Sequence, residues 1–359
     1  MLDFTKNLLL ARGFFFEKSV FRKKVLQKRI GCDRILFGKP RKMTMKKIAP
    51  EYYQEFHCIA DRCTHSCCIG WEIDINSETY KKYMELTVPF KERLEKEILS
   101  DGNTYCFRLD KDDRCPFLNG NGLCEIILTL GEEYLSQICS DYPRFRNFYG
   151  DCEEIGVGLA CEEAAKLILF GERMPSLILL NSDGKETVCT DFENELLQKR
   201  ARVFSLLSVE NLDFKACTTE IFNMFYIENK GKSLAEYIPL FEGLEKMDDA
   251  WTEKLFFLKS LPEDKVMNAE KKYSHLLKRL AHYFFYRYLI AAKDAVEMRS
   301  SVAFCLLSVR MIAGLFALQE EKGETSPASL IECARMYSAE IEYSEENMEE
   351  ILAEFSFNI

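Results

Sequence analysis

Four thiols lie within eleven positions of residues 56–71, whose sequence is FHCIADRCTHSCCIGW. They are Cys58, Cys63, Cys67 and Cys68, and a second group follows at Cys115, Cys124, Cys139 and Cys161. A soft metal ion or an iron-sulfur cluster needs several thiolates that converge on one point, and loops with closely spaced cysteines supply them most simply. We therefore expect the chain to fold around a buried centre whose ligands come from these eight cysteines.

The compartment decides whether the cysteines are thiols or disulfides. The chain has fifteen cysteines, and its first residues show neither a long apolar run nor a small-residue cleavage pattern. A chain without export features is expected in the cytoplasm, where cysteines stay reduced and act as metal ligands. Adjacent Cys67 and Cys68 favour a metal as well, because one loop aims thiols at a metal more easily than it pairs both in bridges. The isolated Cys189, Cys217, Cys305 and Cys333 are predicted to be small buried hydrophobes.

The spacing narrows the kind of centre without identifying the metal. There is no CxxC pair as in zinc ribbons, and no CxxxCxxC as in radical S-adenosylmethionine enzymes. Zinc and a 4Fe-4S cluster both remain open, as does the choice of four ligands among the eight cysteines. His57 and His65 lie beside the first loop, but the neighbouring thiols make them more readily incidental than ligands.

Charge is distributed unevenly along the chain. Residues 1–47 carry a net charge of +11, so the rest carries −21. An acidic body argues against nucleic acid as the main partner and fits a basic protein surface, although solubility alone would explain it. No unbroken run of about eighteen apolar residues appears, so no membrane insertion is expected.

The hydrophobic pattern predicts a mainly α fold: a small cysteine-rich α+β metal-binding domain followed by an all-helical domain. We divide the chain into residues 1–47, a basic arm or upstream extension, residues 48–178, the cysteine-rich domain, and residues 179–359, the helical domain. Alternating apolar residues predict short strands at 71–75 and 105–109, and CPFL before NGNG predicts a hairpin. Residues 268–293 carry an aromatic stripe at helical spacing, which predicts burial in a helix core.

Four cysteine-bearing motifs follow one another along the chain: CIADRCTHSCCIGWEIDI, CPFLNGNGLCEI, LGEEYLSQICSDYPRF and GLACEEAAKLIL. Together they resemble the bacterial flagellin lysine-N-methylase family over about residues 58–170. The C-terminal half is similar more loosely, through its helical character and the motif AEIEYSEENMEEI. The first part also resembles a broader group of CxxxCC proteins described as zinc- or iron-chelating.

The resemblance implies transfer of a methyl group from S-adenosylmethionine to lysine side chains of flagellin, with a cysteine-bound 4Fe-4S cluster. Composition and periodicity do not show this activity. A clear Rossmann fingerprint is missing, since Gly156-Val-Gly158 lacks the third glycine and no convincing strand is expected before it. The second hypothesis is a non-catalytic zinc- or iron-binding module whose helical half binds a protein partner.

Methylation of lysine needs a neutral amine, because an ammonium has no lone pair with which to attack a methyl group. Acids and tyrosines near the cysteines are therefore candidates for taking the proton: Glu72, Asp74, Asp141 and Tyr142. We predict Asp141 and Tyr142 as catalytic and Arg144 as a forked partner for the cofactor carboxylate. Each has a plainer alternative, as a surface charge, a packed ring or, for Arg144, a cap on the preceding helix.

Overall fold

The structure is a computed structural model that describes residues 45–102, 104–181, 188–228 and 231–358. All but residues 45–47 of the predicted basic arm lie outside these ranges. The prediction of a mainly α fold is confirmed. The helices are α1 Ser77–Met84, α2 Phe90–Glu97, α3 Glu125–Leu130, α4 Gln137–Asp141, α5 Glu162–Phe170, α6 Asp191–Leu207, α7 Phe214–Met224, α8 Leu234–Gly243, α9 Asp249–Ser260, α10 Glu263–Lys272, α11 Ser274–Tyr288, α12 Ala295–Lys322, α13 Pro327–Ile341 and α14 Glu345–Asn358.

A four-stranded mixed sheet joins distant parts of the chain. Its strands are β1 Lys46–Pro50, β4 Arg144–Tyr149, β5 Cys152–Val157 and β6 Leu177–Asn181, in the order β4-β5-β1-β6. Strand β1 runs parallel to β5 and antiparallel to β6, while β4 and β5 form an antiparallel hairpin. The sequence expectation that no strand precedes Gly158 is therefore wrong, since β5 is a fully buried strand that ends at Val157.

The cysteine-rich region has a second, smaller sheet and its own core. Strands β2 Ile98–Ser100 and β3 Tyr105–Phe107 pair antiparallel, which places the strand predicted at 105–109. In place of the strand predicted at 71–75, the structure has a single β-bridge between Asp74 and Cys106. In place of the predicted CPFL hairpin, it has a single β-bridge between Leu118 and Cys124. The small core contains these buried side chains: Ile73, Ile75, Tyr83, Leu94, Phe107, Cys115, Phe117, Leu118 and Ile126.

The larger core is built around helices α11 and α12. The aromatic stripe predicted over 268–293 is divided at Tyr273, where α10 ends and α11 begins. Its rings are buried as predicted, except that of Tyr288, which is partly buried. Helix α11 is hydrogen-bonded to the sheet. The Tyr286 hydroxyl donates to the carbonyls of Ile48 in β1 and Ile155 in β5. In the described residues from 190 onward every regular element is a helix.

Helix α12 is long and apolar enough to cross a membrane by length and composition alone. The sequence shows no unbroken apolar run of that length, since Arg310 interrupts it. Almost all of its apolar window is buried among the other helices, which is what the core helix of a folded domain shows.

A buried ion pair fixes α6 against the sheet. Arg200 of α6 donates Nη1 to Glu154 Oε2 over 2.8 Å and Nη2 to Oε1, and both side chains are almost fully buried. The Tyr149 hydroxyl adds a third hydrogen bond to this carboxylate. Every oxygen of the buried carboxylate thus has a donor, as a buried charge requires.

Candidate functional site

The first cysteine loop, residues 56–71, is anchored at the start of α5. The backbone N–H and the hydroxyl of Thr64 both donate to Glu162 Oε2, over 2.8 and 2.6 Å. The Cys63 sulfur lies 3.6 Å from the same oxygen. Burial raises the pKa of Glu162, but the Thr64 hydrogen bonds outweigh it and leave the pKa below its ordinary value. The charged carboxylate therefore holds this loop beside Cys161, the residue that precedes α5.

A second anchor joins the loop to the helical half. His65 Nε2 lies 2.9 Å from Glu332 Oε2 on α13, and Arg335 one turn later donates twice to the same carboxylate. The structure thus places His65 beside a carboxylate of the helical half, and His57 is exposed.

Four of the eight thiols gather at the small core: Cys68, Cys115, Cys124 and Cys139. The Cys115 backbone N–H donates to the Cys68 carbonyl over 2.8 Å, which joins the first loop to the second group. Burial and the neighbouring thiolates raise the pKa of Cys115 and of Cys139 to about 12. Removing the protons of Cys115 and Cys139 is costly unless a cation shares the site.

A second set of thiols lies where the first loop meets α5, and consists of Cys58, Cys63 and Cys161. Burial first, then the charges of Cys63 and Cys58, raise the pKa of Cys161 to about 11. Cys67 interacts electrostatically with Cys58 of this set and with Cys139 of the other. The hydrogen bond between Cys67 and Cys68 lowers the pKa of Cys68 and raises that of Cys67. The adjacent pair therefore connects the two sets.

The donors fit a metal centre in their chemistry. Backbone N–H groups of Ile126 and Ile127 donate to the Cys124 sulfur, and those of Glu163 and Ala164 donate to Cys161. Hydrogen bonds of this kind are typical of thiolates that bind metals or iron-sulfur clusters. Across the described ranges, however, no three His, Cys, Asp or Glu side chains are arranged as ligands of one ion. The eight predicted cysteines come together in two connected sets, without the geometry of ligation.

Asp141 and Tyr142, the two residues predicted to be catalytic, lie in different environments. Asp141 accepts hydrogen bonds from Gln137 over 2.5 Å and from Arg146 over 2.9 Å, so its charge is paired. Tyr142, half-buried, packs between rings, and burial raises its pKa, with Tyr343 and the thiols Cys161 and Cys67 adding to the shift. A tyrosine in this state keeps its proton at neutral pH and acts as a hydrogen-bond donor.

The other predicted polar residues have structural partners. Arg144 donates to the Ser140 carbonyl over 3.3 Å, so it caps the preceding helix α4, the plainer of its two predicted roles. Its guanidinium also lies over the Phe56 ring. Asp74 pairs by its backbone with Cys106, and burial together with nearby Glu72 raises its pKa.

Three rings run from the cysteine loop to the last helices. Trp71 and Tyr142 have centroids 5.7 Å apart, and Tyr142 and Tyr343 have centroids 5.8 Å apart. Trp71 Nε1 donates to the Cys67 carbonyl, which fixes the row to the loop. We call Trp71, Tyr142 and Tyr343 the aromatic row. It connects the thiols to the turn between α13 and α14.

A buried charge pair lies at the far end of the aromatic row. Glu342 Oε2 accepts hydrogen bonds from the hydroxyls of Tyr283 over 2.8 Å and Tyr288 over 2.7 Å, and it forms an ion pair with Arg287 Nη1, 3.1 Å away. The loop after β5 reaches the same place, since the Leu159 N–H donates to the Tyr283 hydroxyl over 3.3 Å. At Gly158 an added Cβ would lie 2.7 Å from the Tyr343 hydroxyl and 3.0 Å from Arg287 Nη1, so only glycine fits there without displacing them.

Sequence reasoning missed this charge pair. Glu342 and Tyr343 stand in the motif AEIEYSEENMEEI, but their partners on α11 are more than fifty positions earlier. One sequence feature could have predicted that Glu342 is buried. It stands between two large apolar or aromatic residues, Ile341 and Tyr343, at the end of an otherwise apolar helix face.

Two cavities lie away from the thiols. One, of about 390 Å³, lies between the sheet and α6 beside the Glu154–Arg200 pair. The other, of about 380 Å³, lies among the C-terminal helices beside Arg310, Glu263 and Glu270. Neither is lined by any of the eight predicted cysteines.

Comparison with known proteins bears on both halves of the chain. Residues 174–359, more than half of the chain, match the FliB lysine N-methylase C-terminal domain. The chain is 30% identical over 134 residues to the flagellar biosynthetic protein FliU of Salmonella muenchen, which covers 35% of this chain and 79% of that protein. It is 30% and 29% identical over 134 residues to proteins named lysine-N-methylase from Salmonella typhimurium and Salmonella choleraesuis, and these matches span 33% of each relative. No solved structure matches the chain.

Proposed function

The chain belongs to the FliB lysine N-methylase family, and from that membership we propose that it is a protein-lysine N-methyltransferase that acts on flagellin. The methyl donor in this proposal is S-adenosylmethionine, and the protein works in the cytoplasm. The observation that carries the proposal is the match of residues 174–359 to the FliB lysine N-methylase C-terminal domain. The names of the relatives, lysine-N-methylase and a flagellar biosynthetic protein, support a methyltransferase role linked to the flagellum.

The chain's own residues then have three tasks. They must desolvate the lysine so that it is a neutral amine, hold it in line with the methyl group, and take away the proton that the methylated amine carries. The aromatic row supplies apolar surface for the first task. Because the charge of Asp141 is paired with Arg146, Tyr142 is the better placed of the two predicted catalytic residues, as a hydrogen-bond donor beside the reacting groups.

The eight cysteines are proposed to hold a 4Fe-4S cluster, with zinc as the alternative metal. A metal centre bound there would supply folding free energy and offset the charge of the thiolates. The chain's contribution is the pair of anchors, Thr64 to Glu162 and His65 to Glu332, which fix the first loop against α5 and α13. Through Trp71 the loop also positions the aromatic row.

Flagellin is a proposed partner whose basic side chains would meet an acidic surface. Residues 48–359, most of which the structure describes, carry a net charge of −21. Electrostatic attraction of this kind speeds encounter, while selectivity must come from contacts around the target lysine.

The second candidate function is a non-catalytic metal-binding module. It is favoured by one observation, the two anchors that make the cysteine loop part of the fold rather than a free lid. This candidate predicts flagellin binding without turnover.

The deciding experiment uses the full chain, purified and reconstituted without oxygen. Iron, sulfide and zinc are assayed first, and the protein is then mixed with flagellin and S-adenosylmethionine. Intact-mass analysis should show increments of one methyl group, and these increments should become heavier with a deuterated methyl donor. Bound flagellin that gains no methyl group, with the metal site fully loaded, would leave the non-catalytic module as the function.

A further inference from the structure

The cavity of about 380 Å³ among the C-terminal helices contains a carboxylate without a hydrogen-bond donor. Glu270 of α10 lines this cavity, and its side chain is 12% exposed. Arg310 Nε lies 3.5 Å from Glu270 Oε1, too far for a hydrogen bond, and no donor among the described residues reaches the carboxylate more closely. A carboxylate largely withdrawn from water favours a ligand that brings a donor.

Arg310 does not balance the charge of Glu270, because it is shared with Glu263. Its Nη2 donates to Glu263 Oε1 and its Nη1 to the Lys232 carbonyl, the second over 2.6 Å. The Leu234 N–H donates to the other oxygen of Glu263 over 2.9 Å, so both of its oxygens have donors. Burial raises the pKa of Glu270 in spite of Arg310. Two carboxylates thus face one guanidinium, and a further positive charge would balance the group.

The walls of the cavity suit an alkyl stem that ends in a cation. Apolar side chains from four helices and from the loop after α7 line it: Phe222, Ile227, Met267, Leu306, Leu307 and Phe355. Tyr237 adds a ring that already carries a cation, since Lys232 Nζ lies 5.4 Å from its centroid. The four remaining charged side chains of the lining cancel in sum: Lys215, Lys232, Glu228 and Glu354. The volume falls within the range of ligand pockets, about 300–1,000 Å³.

We propose that this cavity binds the charged side-chain ammonium of a lysine in the protein substrate, with the ammonium on Glu270 and the alkyl stem among the apolar side chains. The proposal rests on the proposed methylation of flagellin, because it names a second place where that substrate is held. An ammonium on a carboxylate keeps its proton and has no lone pair with which to attack a methyl group. The bound residue is therefore a docking lysine, and a different lysine of the same protein is methylated.

The rim of the cavity favours a protein over a free amine. Tyr226 directly precedes Ile227 and Glu228 of the lining, is 86% exposed and has a backbone φ of 56°. A bulky residue in the left-handed region costs free energy, and its exposed ring gains apolar contacts only from a partner. A polypeptide that inserts one side chain into the cavity can also cover this ring, whereas a short alkylamine cannot.

The first test uses the full chain with 3-fluorotyrosine incorporated. It is titrated with Nα-acetyl-lysine N-methylamide and, in parallel, with the norleucine analogue, which has the same alkyl chain without the ammonium. The fluorine signal of Tyr237 is assigned by its loss in Tyr237→Phe. We expect the lysine compound to shift this signal with a Kd at least about tenfold lower, because only this compound carries a charge for Glu270. Equal affinities, or an unshifted Tyr237 signal, overturn the proposal.

The second test removes the charge of Glu270. Glu270→Gln keeps the shape of the side chain, and the preference for the lysine compound should disappear. Asp264→Asn is the matched control, because Asp264 lies on the same helix and loses the same charge but does not line the cavity. A preference that survives in a folded Glu270→Gln protein contradicts the proposal. If that variant does not fold, the comparison of the two compounds on the otherwise unchanged chain decides alone.

Kinetics with flagellin separate a docking lysine from a free amine. The effect of Glu270→Gln should fall on KM, about tenfold, rather than on kcat, since neither the thiols nor the aromatic row line this cavity. Asp264→Asn should leave KM as it is. An unchanged KM in a Glu270→Gln protein that has lost the lysine compound would show that the cavity takes free amines only, which overturns the docking lysine.

The two hypotheses fail in different ways. A protein that never methylates flagellin, yet binds it more weakly after Glu270→Gln, keeps the docking lysine and removes the methylase. Methylation that continues at the same KM in Glu270→Gln keeps the methylase and removes the docking lysine.

Discussion

Thr64 Oγ1 lies 2.6 Å from Glu162 Oε2, and this single oxygen also accepts the Thr64 backbone N–H over 2.8 Å. The two bonds join the cysteine loop to the first residue of α5, ninety-eight positions later. A loop becomes locally more mobile where one of its contacts with the rest of the fold is lost. The anchor therefore decides how well the thiols are held.

Removing the anchor should loosen the loop while leaving the fold intact. In Thr64→Val the shape of the side chain is kept and its hydroxyl donor is lost, so trypsin should cut after exposed Arg62 several times faster. Thr219→Val is the control, because the Thr219 hydroxyl bonds only within its own helix. Cleavage at equal rates in both variants would show that the Glu162 contact does not hold the loop.

The buried ion pair between Arg200 and Glu154 should contribute strongly to the stability of the sheet, because it joins the interior strand β5 to α6. Arg200→Met leaves a fully buried carboxylate with one remaining donor, and breaking such a pair costs about 3–5 kcal/mol. Thermal or urea unfolding measures the loss. Lys259→Met, which breaks the exposed pair with Glu242, should leave the free energy of unfolding nearly unchanged. Similar losses in the two variants would contradict the burial of Glu154.

Metal retention should depend on the thiols of both sets and not on cysteines of the main core. Cys139→Ser and Cys63→Ala are expected to lower bound metal and the melting temperature of the protein as isolated, because coordination contributes directly to folding. Cys217→Ser is the control, since Cys217 is fully buried in the larger core. A chelator should reproduce the loss in the unchanged protein. Full metal content in Cys63→Ala and Cys139→Ser would remove both residues from the ligand set.

The two predicted catalytic residues should respond differently to substitution. Tyr142→Phe keeps the ring of the aromatic row and removes one donor, so kcat for flagellin methylation should fall about tenfold. Asp141→Asn should leave kcat close to that of the unchanged protein, because its carboxylate is occupied by Arg146 and Gln137. The reverse order of effects would make Asp141 the proton acceptor.

Glu340 should make stability depend on pH near neutrality. Burial raises its pKa to about 7, although the N–H groups of Met247 and Asp248 act in the opposite direction. Since the folded state binds the proton more tightly than the unfolded state, whose pKa is 4.5, stability should fall as pH rises from 4.5 to 7. Subtracting the curve of Glu340→Gln from that of the unchanged protein isolates this part. A flat difference over that range would mean that Glu340 is not buried as described.

The sequence predicted what depends on neighbours along the chain. The short strand predicted over 105–109 follows from local alternation, and β3 lies at the start of that range. The aromatic stripe of α11 is buried because its period fixes one face. The sheet was missed because β1 pairs with strands more than 100 residues later in the chain, and strands only five or six residues long carry little periodic signal. The charge pair of Glu342 and Arg287 was missed for the same reason, since nothing local distinguishes a buried glutamate from an exposed one.

Strand β1 sets an order on folding during synthesis. It lies between β5 and β6, both of which leave the ribosome more than 100 residues after it. At about 5–20 residues per second, β1 stays without either partner for more than about 5 s, with both edges open. The small core can close during that interval, because its buried residues lie between Ile73 and Ile126. The cysteine region should therefore fold before the sheet that later supports it, and chaperones are expected to bind the nascent chain at β1 until residue 181 has emerged.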